Sequence, residues 1–425
     1  MDVRDLCRRV TFDEVIFLLL RKRLPNESEL KGAKCYVQNE FGRFCERNVL
    51  QMGKLLQTSD PLELIRIALL QLSHQAEAEA EVGAEAESHS GDDPVFNYLK
   101  ILAASMKLLL RWDHHSQLVS PPMQDYADLS SFLIDAYPMG GREKDSQGRS
   151  KQQDGAEDIN GSLGSNEPKG KVVTPHLWRG EKIKLLNAFL LCMCEQGINE
   201  NTFFVRMLSS VQHHNYFSLC ISASTFYIDA FRNVDLCHSL DAFLRFVVPS
   251  IGSTKQGEHS QLRKHREPEG VQLRQGDHLD DAIGAPPPPN VDFFFHKGNS
   301  YREKNAIIKA HLTEYCNNTC QNNLQCLKHF EQVEEFFLKN QNRYASCYYY
   351  PLLIFHILSL PLPLLPSVFF IMRLLSFTAH RQEQIGNNKL VKYAGVYKRS
   401  RKSKIPSWAL QCRCYYCHYC HYCSI

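Results

Sequence analysis

Residues 11–25, TFDEVIFLLLRKRLP, hold an apolar run that ends in a basic cluster close to the start of the chain. An export signal opens basic and closes on small residues, whereas here Asp13 and Glu14 open the run and Arg21, Lys22 and Arg23 close it. The stretch is therefore not an export signal. Phe12, Val15, Ile16 and Leu19 stand at i, i+3, i+4 and i+7, a single helical stripe, and Thr11 with Glu14 three residues later forms a capping box. Acidic residues in the first turn and basic ones in the last suit the helix dipole. A short amphipathic helix is expected, with an apolar face that another element must cover.

Outward from that helix the pattern stays helical. In ESELKGAKCYVQNEFGRFCERNVL, Val37, Phe41 and Phe44 keep helical spacing, and in SDPLELIRIALLQLSH Asp60 stands as N-cap with Pro61 at the first helical position and Glu63 at the third. Residues 1–75 are thus expected to form a compact helical bundle, followed by an acidic Glu-Ala linker or helical extension at 76–93. Asp93 and Pro94 open a further helical segment, 94–138, with Phe96 and Leu99 at core spacing. Residues 139–175 are Gly, Ser, Asp, Gln and Lys with almost no large apolar side chain, and are expected to be disordered because little burial offsets the ordering entropy. A second helical module spans 176–250, a polar proline-rich linker 251–298, and another helical segment 299–345. Strand-like alternation is scarce, so the expected class is all-α: small helical bundles joined by disordered linkers, with an irregular C-terminal tail.

Composition narrows the partners. The 425 residues carry a formal net charge of +3, too balanced to make nucleic acid or a membrane surface the main partner. Of 16 cysteines several crowd the extreme C-terminus, and the rest are scattered singly through helical stretches, where a free cysteine behaves as a small apolar residue. A reducing, cytoplasmic setting is expected, so the sequons at Asn26, Asn160 and Asn317 are silent.

The tail from 346 to 425 reads differently. PLLIFHILSLPLPLLPSVFFIMRLL is long and apolar enough to span a membrane, yet Pro361, Pro363 and Pro366 interrupt it. Codons made only of pyrimidines encode Phe, Leu, Ser and Pro, so the residues from about Ser346 are expected to be aberrantly translated non-coding sequence. Cys414, Cys417, Cys420 and Cys423 repeat a two-residue gap compatible with zinc, but one short string lacks the two separated pairs of a structural site. The basic KRSRKSK segment, Lys398 to Lys404, reads as a solvated stretch or an import signal. The pairs His114–His115 and His213–His214 read as exposed, and Cys192 and Cys194 as core. No phosphate loop, dinucleotide fingerprint, zinc-protease motif or nucleophile elbow occurs. No catalytic residue, cofactor site or metal site is expected.

LCRRVTFDEVIFLLLRKRL, followed by short helices ending in LELIRIALLQLSH, resembles the death-effector-like prodomains of insect apical caspases of the Dredd type. The resemblance extends over roughly the first 250 residues, with either the segment from Val95 to Ala136 or the block from Glu181 to Val248 as the second prodomain repeat. It implies a non-catalytic module that docks by homotypic contact, through self-association or on a death-fold adaptor, in apoptosis or innate immune signalling. The expected contact faces are Glu14, Arg21, Lys22 and Arg23 on the first helix, and Glu40, Arg43 and Arg47 on a helix from Glu40 to Arg47. Neither the catalytic His-Gly nor the Gln-Ala-Cys string of a caspase is present, so the chain is not expected to be an enzyme. Two alternatives stand beside this reading: a single-pass protein anchored through residues 350–375, and an incomplete caspase whose protease half is absent.

Overall fold

The computed structural model describes residues 2–58, 60–82, 93–112, 126–137, 175–211, 215–232, 291–319 and 321–391. The chain divides into two units, Met1–Lys389 and Leu390–Ile425, and every element below belongs to the first. In order these are α1 (Val3–Arg9), α2 (Phe12–Arg21), α3 (Glu27–Arg43), α4 (Glu46–Leu55), α5 (Pro61–Val82), α6 (Pro94–Trp112), α7 (Leu129–Ala136), α8 (Pro175–Met193), α9 (Glu200–Ser210), α10 (Tyr216–Arg232), the single turn α11 (Val291–Phe294), α12 (Arg302–Asn318), α13 (Gln321–Gln341), α14 (Tyr349–Ile357) and α15 (Leu365–Gly386). Phe295–His296 and Tyr344–Ala345 pair as a minimal antiparallel ladder, Phe295 opposite Ala345.

The caps form where local chemistry dictates. Thr11 accepts from Glu14 N while the Glu14 carboxylate accepts from Thr11 N at 2.7 Å, the reciprocal capping box expected from the sequence. Asn26 and Glu29 make a second such box at α3. Asp60 accepts from Leu62 N at 2.9 Å and Asp93 from Val95 N at 2.8 Å, so both Asp-Pro pairs start helices.

What the caps do not fix is which helices meet. The all-α class holds, but the small death-fold bundle does not: α1 packs on α8, α3 on α6, α5 on α10, and α12 on α8. In none of these pairs are the two helices consecutive in the sequence, because amphipathic helices of this length cannot cover their apolar faces with sequence neighbours alone. Near the middle stands α15, which contacts α2, α5, α6, α8, α9, α10 and α14, and every residue from Leu365 to Ala379 in it is buried.

This arrangement corrects three further expectations. The membrane-anchor alternative fails, since the apolar run at 350–375 is two helices packed inside the protein, and a core helix satisfies the same length and apolarity test as a span. The three prolines mark their junction: a 3-10 turn at Leu362–Leu364 lies between them, and Pro366 sits in the first turn of α15, where its missing N–H has no intrahelical duty. Second, residues 346–379 are mostly buried core rather than an irregular tail. Third, Glu40 to Arg47 is not one helix; α3 ends at Arg43, Phe44 is extended, and α4 begins at Glu46. Lys398–Lys404, the two His pairs and Cys414, Cys417, Cys420 and Cys423 lie outside the described residues.

Candidate functional site

A charged side chain in the interior is costly unless paired, so the fully buried Arg373, 1% exposed in the middle of α15, marks a place where the fold accepts that cost. The sequence around it is otherwise apolar, which is how the helix reaches the core and carries a guanidinium with it. Arg373 donates to Thr202 Oγ1 at 3.1 Å and to Cys194 O at 3.5 Å, and lies 5.1 Å from the centre of the Phe377 ring one turn along. A guanidinium has five N–H donors, so these two bonds leave others on the same planar fork.

The partners come from the segment that joins α8 to α9. After Met193 the chain turns through Gly197, whose φ of 75° is the left-handed conformation that glycine tolerates best. Asn199 then caps α9 by accepting from Thr202 N at 3.0 Å, and the Thr202 hydroxyl donates back to Gly197 O at 3.1 Å. This fixed turn aims Glu195 at α15. Its carboxylate accepts from Ser376 Oγ and lies 3.4 Å from His380 Nε2. Arg206 of α9 donates to His380 Nδ1 at 2.7 Å and to Glu383 at 3.1 Å, which puts the His380 proton on Nε2, facing Glu195. Lys304 of α12 donates to the Glu195 backbone oxygen.

The electrostatics follow from burial and pairing. Burial works against ionisation of Glu195, but the bonds from His380 and Ser376, the charge of Arg373 and the Gly197 N–H outweigh it and hold its pKa down at about 2. Burial lowers the Lys304 pKa, with Arg373 acting in the same direction against the pull of Cys194 and Glu195. Burial likewise pushes the Cys347 thiol up to about 11. The cluster therefore carries an anion at Glu195 beside a buried cation at Arg373. Because a carboxyl held near 2 is a weak base, Glu195 balances charge rather than abstracting protons. An oriented guanidinium with spare donors can take a carboxylate. Among the described residues no group of His, Cys, Asp and Glu side chains is arranged to hold a metal ion.

None of these residues stood out in the sequence as a site. A signal was present, a lone arginine inside an apolar run, but a reading as tail or membrane span gave it no partner. The expected contact residues lie elsewhere. Glu14 is spent on its capping box. Arg21 pairs with Glu29 at 3.2 Å and Asp93 at 2.7 Å, and Arg23 with Glu29. Glu40 pairs with Arg43 at 3.1 Å, and Arg47 is exposed. Lys22 alone touches the edge of the cluster, 3.4 Å from Glu383.

The family model described as the citrate synthase C-terminal domain matches residues 1–230 and 294–394. The fold is similar to the citrate synthase of Pyrobaculum aerophilum, at 14% identity and a TM-score of 0.60, covering 96% of this chain and 88% of that one. It is similar to that of Thermotoga maritima, at 16% identity and a TM-score of 0.54, covering 96% and 90%. The Thermoplasma acidophilum citrate synthase, solved as a ternary complex with carboxymethyl coenzyme A and oxaloacetate, matches at 14% identity and a TM-score of 0.59, covering 96% and 91%. No curated protein matches by sequence.

These matches overturn the caspase-prodomain resemblance. With it go the non-catalytic role, the apoptotic and innate-immune setting, the death-fold adaptor as partner, the incomplete-caspase alternative and the expectation that the chain is not an enzyme. The resemblance rested on helix spacing, which any succession of amphipathic helices reproduces. The matched segment 294–394 also runs through most of the stretch expected to be non-coding translation, at odds with that origin for residues 346–394.

Proposed function

The chain belongs to the citrate synthase family, and on that premise we propose that it binds oxaloacetate and condenses it with the acyl group of a coenzyme A thioester. The observation that carries the reading is the buried Arg373, inside a matched segment, with donors to spare on a planar fork. Oxaloacetate offers two carboxylates and a ketone, and bidentate guanidinium contact fixes a carboxylate in orientation as well as position. Thr202 and Cys194 O hold the fork in place, and Glu195 supplies charge balance so that the site is not a naked cation. In the condensation a proton leaves the carbon next to the thioester, that carbon bonds to the ketone carbon, the ketone oxygen takes a proton, and water releases the free coenzyme A thiol. A cytoplasmic setting belongs to the same proposal, supported by the free thiols of Cys7, Cys192, Cys194 and Cys220.

The test is chromatographic detection of free coenzyme A from acetyl coenzyme A with and without oxaloacetate. Release that requires oxaloacetate, and that falls at least about a hundredfold in Arg373→Met with partial recovery in Arg373→Lys, supports the reading. Wild-type protein that neither binds oxaloacetate in calorimetry nor releases coenzyme A overturns it.

A further inference from the structure

Two thiols far apart in the matched chain meet outside the Arg373 cluster. Cys7 of α1 and Cys192 near the end of α8 lie with their sulfurs 3.5 Å apart, 185 residues apart in sequence. Their surroundings differ. Cys7, 6% exposed, lines a cavity of about 490 Å³ between α1, α8 and α12, and Cys192, 2% exposed, lies beneath it. The cavity wall carries Arg8, Lys184 and His311 as cationic or ionisable groups and Glu181 and Glu314 as anionic ones, with Lys184 tied to Glu181 at 2.7 Å. The hydrogen bond between the two sulfurs and the proximity of His311 outweigh burial and lower the Cys7 thiol, while the same bond and burial push Cys192 up. The sulfur facing the cavity is thus the more readily ionised of the two, and the one behind it the less.

We propose that Cys7 and Cys192 form a peroxide-responsive dithiol, with Cys7 as the attacking sulfur at the cavity and Cys192 as the resolving sulfur behind it. The Cys7 thiolate attacks one oxygen of a hydroperoxide, the O–O bond breaks, and Cys7 becomes a sulfenic acid as hydroxide leaves. Cys192 then attacks that sulfur, the sulfenic hydroxyl leaves together with the Cys192 proton as one water, and a disulfide remains. The two sulfurs together lose two electrons, the hydroxide takes up a proton from solvent, and hydrogen peroxide is thereby reduced to two waters. Closing the bond needs a movement of about 1.5 Å by the sulfurs, from 3.5 Å to bond length. The two sulfurs sit on separate helices, α1 and α8, that pack against each other. The bond staples α1 to α8 two residues before Cys194, whose carbonyl takes Arg373. Any effect on turnover rests on the proposed activity, but formation of the bond does not.

Full-length protein treated with a small excess of hydrogen peroxide should yield, without reductant, the tryptic peptide Asp5–Arg8 joined to Leu185–Arg206, with fragment ions placing the link at Cys192 and not Cys194. Dithiothreitol should remove it. In Cys192→Ser the reaction should stop at a Cys7 sulfenic acid that dimedone traps, and Cys7→Ser should abolish both products. Iodoacetamide should label Cys7 ahead of the other buried cysteines described, with a rate that levels off at a pH below the usual thiol range. A Cys7 inert to peroxide and to iodoacetamide, or crosslinks spread evenly over the other cysteines, overturns the proposal. Both readouts use mass spectra of the wild-type chain, so neither depends on a variant folding or on citrate synthesis.

Discussion

The buried carboxylate of Asp13 accepts a hydrogen bond from the Tyr126 hydroxyl at 2.8 Å, tying the start of α2 to the segment that leads into α7. A second bond, from Leu129 N at 3.2 Å, completes the link. Burial first, and the neighbouring Asp128 second, push the Asp13 carboxyl up to about 7, more than the two bonds pull it down. The sign of the pH dependence follows. Unfolded, the group gives up its proton near 3.8, whereas in the fold it does so near 7, so the folded state binds the proton more tightly between those values. Its contribution is full below about 3.8 and is lost as pH rises to 7. The Asp13→Asn variant should therefore gain thermal stability relative to wild type between pH 4 and pH 7, by up to roughly 4 kcal/mol. A melting-temperature difference that stays constant over that range contradicts the assignment.

Asn187 holds the joint between α1 and α2. Its amide donates to Val10 O at 2.8 Å and its oxygen accepts from Phe12 N at 2.9 Å, so one side chain of α8 satisfies both backbone groups of the turn. Asn187→Ala strips two buried polar groups of their partner and should cost roughly 3 kcal/mol by chemical denaturation. Asn187→Asp should cost at least as much, because Val10 O then faces a second acceptor.

Phe189 tests whether the 350–375 region is core. Its ring meets Phe369 with centroids 5.3 Å apart and Phe355 at 6.1 Å, both edge-on. Phe189→Ala should cost about 3–5 kcal/mol. Were α14 and α15 withdrawn into a membrane, the same change would register well under about 1 kcal/mol in the remaining soluble part.

Two glycines should respond oppositely to alanine. A Cβ on Gly53 would meet Leu64 Cδ2 at 2.7 Å and Thr58 O at 3.4 Å, so overpacking should exceed the helix-propensity gain, a net loss of about 1 kcal/mol. At Gly32, within α3, nothing lies within 4 Å, and the Gly32→Ala change should raise stability by about 0.5–1 kcal/mol. Differential scanning calorimetry of both variants checks the pair.

The legible parts of this protein were local. Thr11 with Glu14, Asp60 with Pro61 and Asp93 with Pro94 state their role within a few residues, and each cap forms as expected. Arg373 and Glu195 were not legible, because they meet across 178 positions and neither belongs to a spaced motif. The apolar run around Arg373 misled for a related reason: a helix buried on all sides by protein and one buried in lipid have the same composition. Proline at 361, 363 and 366 interrupts a stretch that by composition suits a membrane span, whereas in the fold it punctuates two core helices.

By itself the sequence determined the all-helical class and the starts of several helices, since capping bonds and propensity act within one turn of chain. Tertiary structure alone decided that α15 is a central helix, that Arg373 reaches Thr202 and the Cys194 carbonyl, and that Cys7 lies against Cys192. Burial of apolar faces is non-directional, so spacing says that each face must be covered but not by which partner. Only the folded packing of all the helices makes that choice.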